Sequence, residues 1–500
     1  MRTTSAAILV ATLIAVPPVV DTQSAMPAET RAAIDALLDL AVEGGYAPGL
    51  GVAIVQNGRV IYQRGVGWAD REGGRRVDAD TIFYIASCTK AFTALATVLL
   101  DRAGQLSLDA TLAEILPEGR LAPGLDPGKI TVRQLLTHTH GIAGDGPLSY
   151  RAAFSGEIER AAMLRALTAH EAARTGTAYS YSNLGYNILS LAIDRIAKQP
   201  WQDVLAERVF RPLGLSSTSA RVSTLPANRL AMPYRAEPEG MARLPYAKKD
   251  ANMQAAGGIV STTGDLARFV IAMMDGGVVD GRRVFPADVI AETQKVHAKF
   301  SARAGDVERN GYALGWNYGT LDGETIVEHG GGFPGFTAAV SFIPSRRLGV
   351  IALGNGVFSA PVQTVLTGYA YALLTGNQTA VARYRQNIAD MPARAAQERK
   401  NVAADRERRA ARPQTTALPL AAYVGQYASP TFGTLEVTLR DGRIHARNGV
   451  LESVAEVFDG TKNALRVELT PASGSVLEFI ATDGKVTGVR FSGSTLDRVK

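Results

Sequence analysis

Apolar and polar positions follow three successive regimes along this chain. Within residues 27–42 apolar side chains recur at Ile34, Leu37, Leu38 and Ala41, a helical period with Pro27 suited to a first turn. Residues 51–56 and 59–63 are β-rich runs joined by Asn57-Gly58, the favoured two-residue hairpin turn. An apolar helical stretch follows at 91–100, and the middle of the chain predicts helices at 131–137, 158–167, 184–198, 201–210 and 264–274. From Tyr312 the period shortens towards two. That predicts strands at 312–318, 325–328, 337–343 and 348–353, and then a helix at 361–374. Strands at both ends with helices between them predict one sheet completed by both ends of a domain, the middle helices packing beside it as an insertion.

The remainder reads differently. Residues 381–413 turn to Ala, Arg and Glu, the composition of a solvated helical connector; a surface for anionic polymer or lipid is the sharper alternative. Beyond Pro413 come short β runs at 434–439, 444–447, 464–469, 476–480, 486–491 and 496–499, separated by turn pairs such as Asp441-Gly442 and Asp483-Gly484. Their regular spacing predicts a small barrel or sandwich. The expected divisions are therefore 1–25, 27–376, 377–416 and 417–500.

Composition narrows the function classes. A chain of 500 residues, 46% hydrophobic and 20% charged, is a soluble globular protein too long for one core. Much of its net charge of +6 sits in the Arg-rich connector, so no nucleic-acid footprint is read from it. Arg2, an apolar stretch at 6–16 and Pro17-Pro18 have the form of an export signal, cut between Val20 and Met26. That stretch is shorter than the roughly 20 residues a membrane-spanning helix needs. A periplasmic or secreted protein without a stable membrane anchor is expected. Cys88 is the sole cysteine, which excludes an internal disulfide.

Three motifs carry chemistry. Ser87-Cys88-Thr89-Lys90 opens the helical stretch, and residues three apart share a helix face, so Lys90 reaches the Ser87 hydroxyl. A lysine whose pKa is lowered can take the serine proton and make it a nucleophile. Tyr181-Ser182-Asn183 precedes another helix. Its phenol can carry a proton towards a leaving group, and Asn183 can hold a substrate amide or fix Lys90. His329-Gly330-Gly331-Gly332 lies between two strand signals, where glycines let a substrate backbone approach and a backbone N–H can join that of Ser87 in holding an oxyanion.

Together these residues resemble the motif set of the penicillin-recognising serine hydrolases: Ser-x-x-Lys, Tyr-x-Asn, then Lys-Thr-Gly or His-x-Gly. The nearest branch is the class C β-lactamase-like one, with its esterases, D-aminopeptidases and D-alanyl carboxypeptidases. The resemblance spans about residues 30–375 and includes Pro48-Gly49-Leu50, Leu135 to Gly141, and Gly257 to Thr262. It implies an α/β fold, an antiparallel sheet flanked by helices with an inserted helical subdomain, followed by a lipocalin-like all-β barrel. It also implies catalysis by Ser87, Lys90 and Tyr181, an oxyanion hole from the N–H groups of Ser87 and Gly332, and substrate contacts from Asn183, His329 and Gly331. Whether Lys90 or Tyr181 is the base stays open, because the two titrate together.

Two departures bear on substrate. His329 stands where lactamases of this branch carry a lysine, and a histidine is mostly neutral at pH 7. That favours amides or esters, D-residue peptides or small esters, over β-lactams. His140 stands where serine is usual. No metal or other cofactor is expected: His138-Thr139-His140 lacks a nearby acid, since Ile142 occupies that place and Asp145 is further on. The expected partner is a small-molecule or peptide substrate. The competing reading from another class is a non-catalytic sensor that binds peptidoglycan fragments in the same cleft.

Overall fold

The structure is a computed structural model that describes residues 26–499 except Asp145, Thr175, Ala247, Met253, Val357, Phe358 and Ala472. The expected signal at 1–25 lies outside the described residues. Two nine-stranded antiparallel sheets dominate. The first runs Ala298–Ala304, Val307–Tyr312, Asn317–Leu321, Glu324–Phe333, Phe336–Ile343, Leu348–Gly354, Gly49–Gln56, Arg59–Asp70 and Arg75–Arg76. Late and early strands join at Leu50↔Gly354, so both ends of the region complete one sheet. Asn57 and Gly58 both have positive φ, as the Asn-Gly turn requires.

Strand Gly49–Gln56 is apolar at every position to Val55 because it is covered on both faces. Leu50, Val52 and Ile54 pack with Leu37, Leu38, Leu366 and Tyr369 of helices Ala28–Glu43 and Ser359–Thr375. Ala53 and Val55 face the other way, into a core with Phe92 and Phe269, whose rings stack at 3.8 Å. Those phenylalanines come from helices Thr89–Arg102 and Thr263–Met274, and Thr262 caps the latter by accepting from the Asp265 N–H.

Two strand expectations are corrected. The expected strand at 312–318 is two strands with a turn between them, closed by Ala313 N–H on the Trp316 carbonyl at 2.8 Å. Gly315 makes that turn at φ +80°, and a Cβ there would lie 2.7 Å from the Lys90 carbonyl. The strand expected at 325–328 continues through the glycines to Phe333, because its pairing with Phe336–Ile343 outweighs their poor β propensity.

Residues 378–410 form helices Gln378–Ala389 and Met391–Ala410; in the second, only Met391 is buried. Its arginines pair locally, as in Arg409–Asp405 at 3.0 Å, and across to the tail through Arg409–Glu456 at 3.2 Å. The tail's nine strands curl into one nearly closed, barrel-like sheet. The barrel leans on the helical insertion: Phe432 stacks on Tyr150 at 5.0 Å, and the Val450 N–H donates to the Ser155 carbonyl at 2.8 Å. At Gly449 φ is +55°, and a Cβ there would run into that same carbonyl. A Gly449→Val variant should lose about 1–3 kcal/mol of stability. Urea unfolding followed by intrinsic fluorescence reads this as a lowered midpoint, with the barrel released first.

Candidate active site

Strand Phe83–Tyr84 pairs with Val260–Ser261, and the Ile85 N–H donates to the Ile259 carbonyl at 3.1 Å. The chain then turns sharply: Ala86 has φ +45°, a strained conformation for a residue with a Cβ. Ser87 follows in a 3-10 turn that runs into helix Thr89–Arg102. The turn is braced from outside by the sheet. A Cβ on Gly331 would collide with the Ile85 carbonyl and lie 3.2 Å from the Ser87 nitrogen, so only glycine lets the strand come this close. The Cys88 thiol donates to the His329 carbonyl at 3.1 Å. Burial pushes that thiol's pKa well up, so it packs and does not react.

Lys90 is completely buried at the centre. Its Nζ lies 3.2 Å from Ser87 Oγ, 2.8 Å from Asn183 Oδ1 and 2.8 Å from the Ala256 carbonyl oxygen. Two carbonyl-type oxygens can only accept. In the neutral amine they take its two N–H bonds, which leaves the lone pair for the Ser87 hydroxyl. The rings of Tyr181 and Tyr186 lie 4.8 Å and 5.4 Å from Nζ and favour the cation once the proton has moved. Ala256 is presented by a segment tied to the same helix, through the Ile259 N–H on Thr89 Oγ1 and Thr93 Oγ1 on the Ala255 carbonyl.

Tyr181 is 43% exposed and packs against His138 at 4.5 Å between ring centres. His138 Nδ1 accepts the Ser182 N–H at 3.3 Å and so fixes the Tyr-x-Asn turn. Its pKa lies well below the usual histidine value, first through burial and then through the Lys90 charge. His140 Nδ1 accepts the Ile142 N–H at 3.1 Å, a local turn bond that a serine hydroxyl can also accept. Each of these imidazoles thus has one nitrogen occupied by a backbone donor. No group of three or more metal-ligating side chains occurs among the described residues; Asp145 lies outside them.

His329 reaches the site, but its ring nitrogens turn inward. Nδ1 sits 2.7 Å from the Gly330 carbonyl and Nε2 3.2 Å from the Tyr312 hydroxyl. A carbonyl cannot donate, so Nδ1 carries the hydrogen and Nε2 accepts from Tyr312. Burial, with the Lys90 charge adding to it, lowers the pKa to about 3. The imidazole therefore braces the strand edge and offers a substrate no cation. Gly330 and Gly332 are exposed along that edge, and nothing lies within 4 Å of a Cβ placed on Gly332.

The structure thus brings Ser87, Lys90, Tyr181, Asn183, His329, Gly331 and Gly332 to one place. Sequence reading missed the Ala256 carbonyl, Tyr312 and Tyr186, which carry no local signature. It met His138 only as a failed metal ligand, although the Leu135 to Gly141 stretch marked its neighbourhood.

Comparison with known proteins places the fold among known families. The family described as Beta-lactamase matches residues 34–374. Protein flp of Staphylococcus aureus is 26% identical over 333 residues, 65% of this chain; the chain spans only 63% of that relative's length. Unguisins hydrolase ungD of Aspergillus violaceofuscus is 28% identical over 439 residues, covering 80% of this chain and 75% of the relative. The octameric penicillin-binding protein homologue from Pyrococcus abyssi superposes with a TM-score of 0.60 at 22% identity, over 93% of this chain and 99% of that one.

Two outcomes follow from this geometry. Gly331→Ala should lower kcat about 100-fold or more by displacing the Ser87 N–H, a loss typical of a spoiled oxyanion donor. Steady-state kinetics on folded protein checks it. His329 has a lowered folded pKa, so the unfolded state binds its proton first as pH falls. The stability His329 supplies is full above about pH 6.5 and is lost progressively towards pH 3. Melting temperatures measured from pH 8 to pH 4 should fall below pH 6.5, and His329→Gln should flatten that fall.

Proposed function

Because this chain belongs to the beta-lactamase family, whose members are serine hydrolases, we propose that it hydrolyses amide or ester bonds through an acyl-enzyme on Ser87. The observation that carries the reading is the set of acceptors around Lys90, which aims a nitrogen lone pair at the nucleophile. Lys90 takes the Ser87 proton as Oγ attacks the substrate carbonyl. The backbone N–H groups of Ser87 and Gly332 hold the oxyanion, where each such donor contributes about 3–4 kcal/mol. The Lys90 proton passes through the Tyr181 hydroxyl to the leaving nitrogen or oxygen. Water then repeats the sequence in reverse and frees the acid.

D-residue peptides and small esters are the substrate classes we favour. The neutral, inward-turned His329 supplies no cation for a lactam carboxylate, which places β-lactam hydrolysis and D-alanyl-D-alanine cleavage second. Arg2 and the apolar stretch at 6–16 support export to the periplasm or beyond. Among the described residues no helix is long and apolar enough to cross a membrane.

Stopped-flow mixing with p-nitrophenyl acetate tests the reading. A burst of one p-nitrophenol per active site is expected, absent in Ser87→Ala and slowed about 100-fold or more in Lys90→Met and Tyr181→Phe. A burst that survives Ser87→Ala contradicts it. No burst with any activated ester, together with tight binding of muropeptides, supports a sensor instead.

A further inference from the structure

The two directions away from Ser87 along the open strand edge differ in chemistry. Towards His329 lie Tyr181, its ring 6.2 Å from the imidazole, and Tyr312. A proton relayed by Tyr181 is delivered on that side, so the leaving group lies there. The acyl part of a substrate therefore runs the other way, along Gly332 and Phe333.

At that end the strand runs into a cluster of aromatic rings. Phe333 stacks on Phe154 at 5.5 Å and meets Tyr246 at 5.3 Å and Tyr84 at 4.9 Å. Two positions beyond Tyr246 in sequence, Lys248 has its Nζ 5.6 Å from the Tyr84 ring centre. Lys248 donates to the Lys249 carbonyl at 2.5 Å. Asp250, whose charge acts on Lys248, is turned to Ser223, accepting its N–H at 3.0 Å and its hydroxyl as well. Among the described residues no salt bridge reaches Lys248. Burial lowers its pKa to about 7, outweighing the opposite effect of the Asp250 charge. The other basic groups of the site are committed: Lys90 to Ser87, Asn183 and the Ala256 carbonyl, while His329 stays neutral.

We propose that Lys248 is a specificity-determining residue that receives a carboxylate at the far end of the acyl group, with Tyr84, Phe154, Tyr246 and Phe333 flanking the carbons between. This rests on the hydrolase reading and narrows it. The preferred acyl group is a dicarboxylic or otherwise anionic one, and a free ammonium in that place is repelled. Phe154 belongs to the segment on which the barrel leans, so the C-terminal module helps to shape this end of the cleft.

Mono-p-nitrophenyl adipate and p-nitrophenyl hexanoate, equal in carbon number, test the assignment, with Ser87→Ala rates subtracted. The wild-type kcat/KM should favour adipate about tenfold or more, mainly through KM, as expected for a charge-assisted hydrogen bond. Lys248→Met should bring the ratio to about one with hexanoate turnover intact, and Lys248→Glu should favour the 6-aminohexanoate ester. A wild-type ratio near one, or a preference unchanged in Lys248→Met, overturns this assignment and leaves the hydrolase intact. Loss of Ser87-dependent turnover with both esters overturns the hydrolase reading, and the assignment with it.

Discussion

A single buried amine joins the parts of this molecule. Lys90 bonds to a serine three residues away, to an amide 93 residues away and to a carbonyl 166 residues away. Placing a lysine where no water reaches is expensive unless its hydrogen bonds are met by the protein. Here they are met only when the Tyr-x-Asn turn and the segment before Val260 close around the Ser87 helix, while the sheet presses on the turn before it at Gly331. Assembly of the fold and assembly of the nucleophile are thus one event. That coupling explains why glycine is required where strand Glu324–Phe333 and the turn Ala313–Trp316 press on this helix.

Around the amine lies a layer of rings: His138, His329, Tyr181, Tyr186 and Tyr312. Their rings touch one another, with His138 4.6 Å from Tyr312 and 5.5 Å from Tyr186. Burial and the neighbouring positive charge act in the same direction on both imidazoles and keep them neutral. A protonated histidine beside Lys90 would repel the ammonium that forms during acylation. Neutral histidines instead orient a turn and a strand while leaving proton movement to Lys90 and Tyr181.

Residues close in sequence were legible before the structure. Ser87 and Lys90 follow from helical spacing, and Asn183 from its place before an amphipathic helix. The Asn57-Gly58 hairpin and the alternating strands after Tyr312 gave the sheet, as did the family resemblance for the fold class and the β tail. What stayed hidden has physical causes. A run of glycines hides a strand because backbone pairing, not side-chain propensity, holds it extended. A carbonyl such as that of Ala256 has no signature, since every residue carries one. The inward turn of His329 depends on Tyr312, which reaches it only through the fold. The contact of Phe432 with Tyr150 joins residues 282 positions apart (432 − 150), and two isolated aromatics announce no pairing.

The most direct measurement of the central claim is a crystal structure of the protein inactivated by a small alkyl fluorophosphonate. The phosphonyl oxygen is expected within 3.2 Å of the backbone nitrogens of both Ser87 and Gly332, in the range of an N–H···O bond. Lys90 should remain on Asn183 and the Ala256 carbonyl. Phosphorus on another side chain, or a Ser87 adduct whose oxygen points away from Gly332, would contradict it.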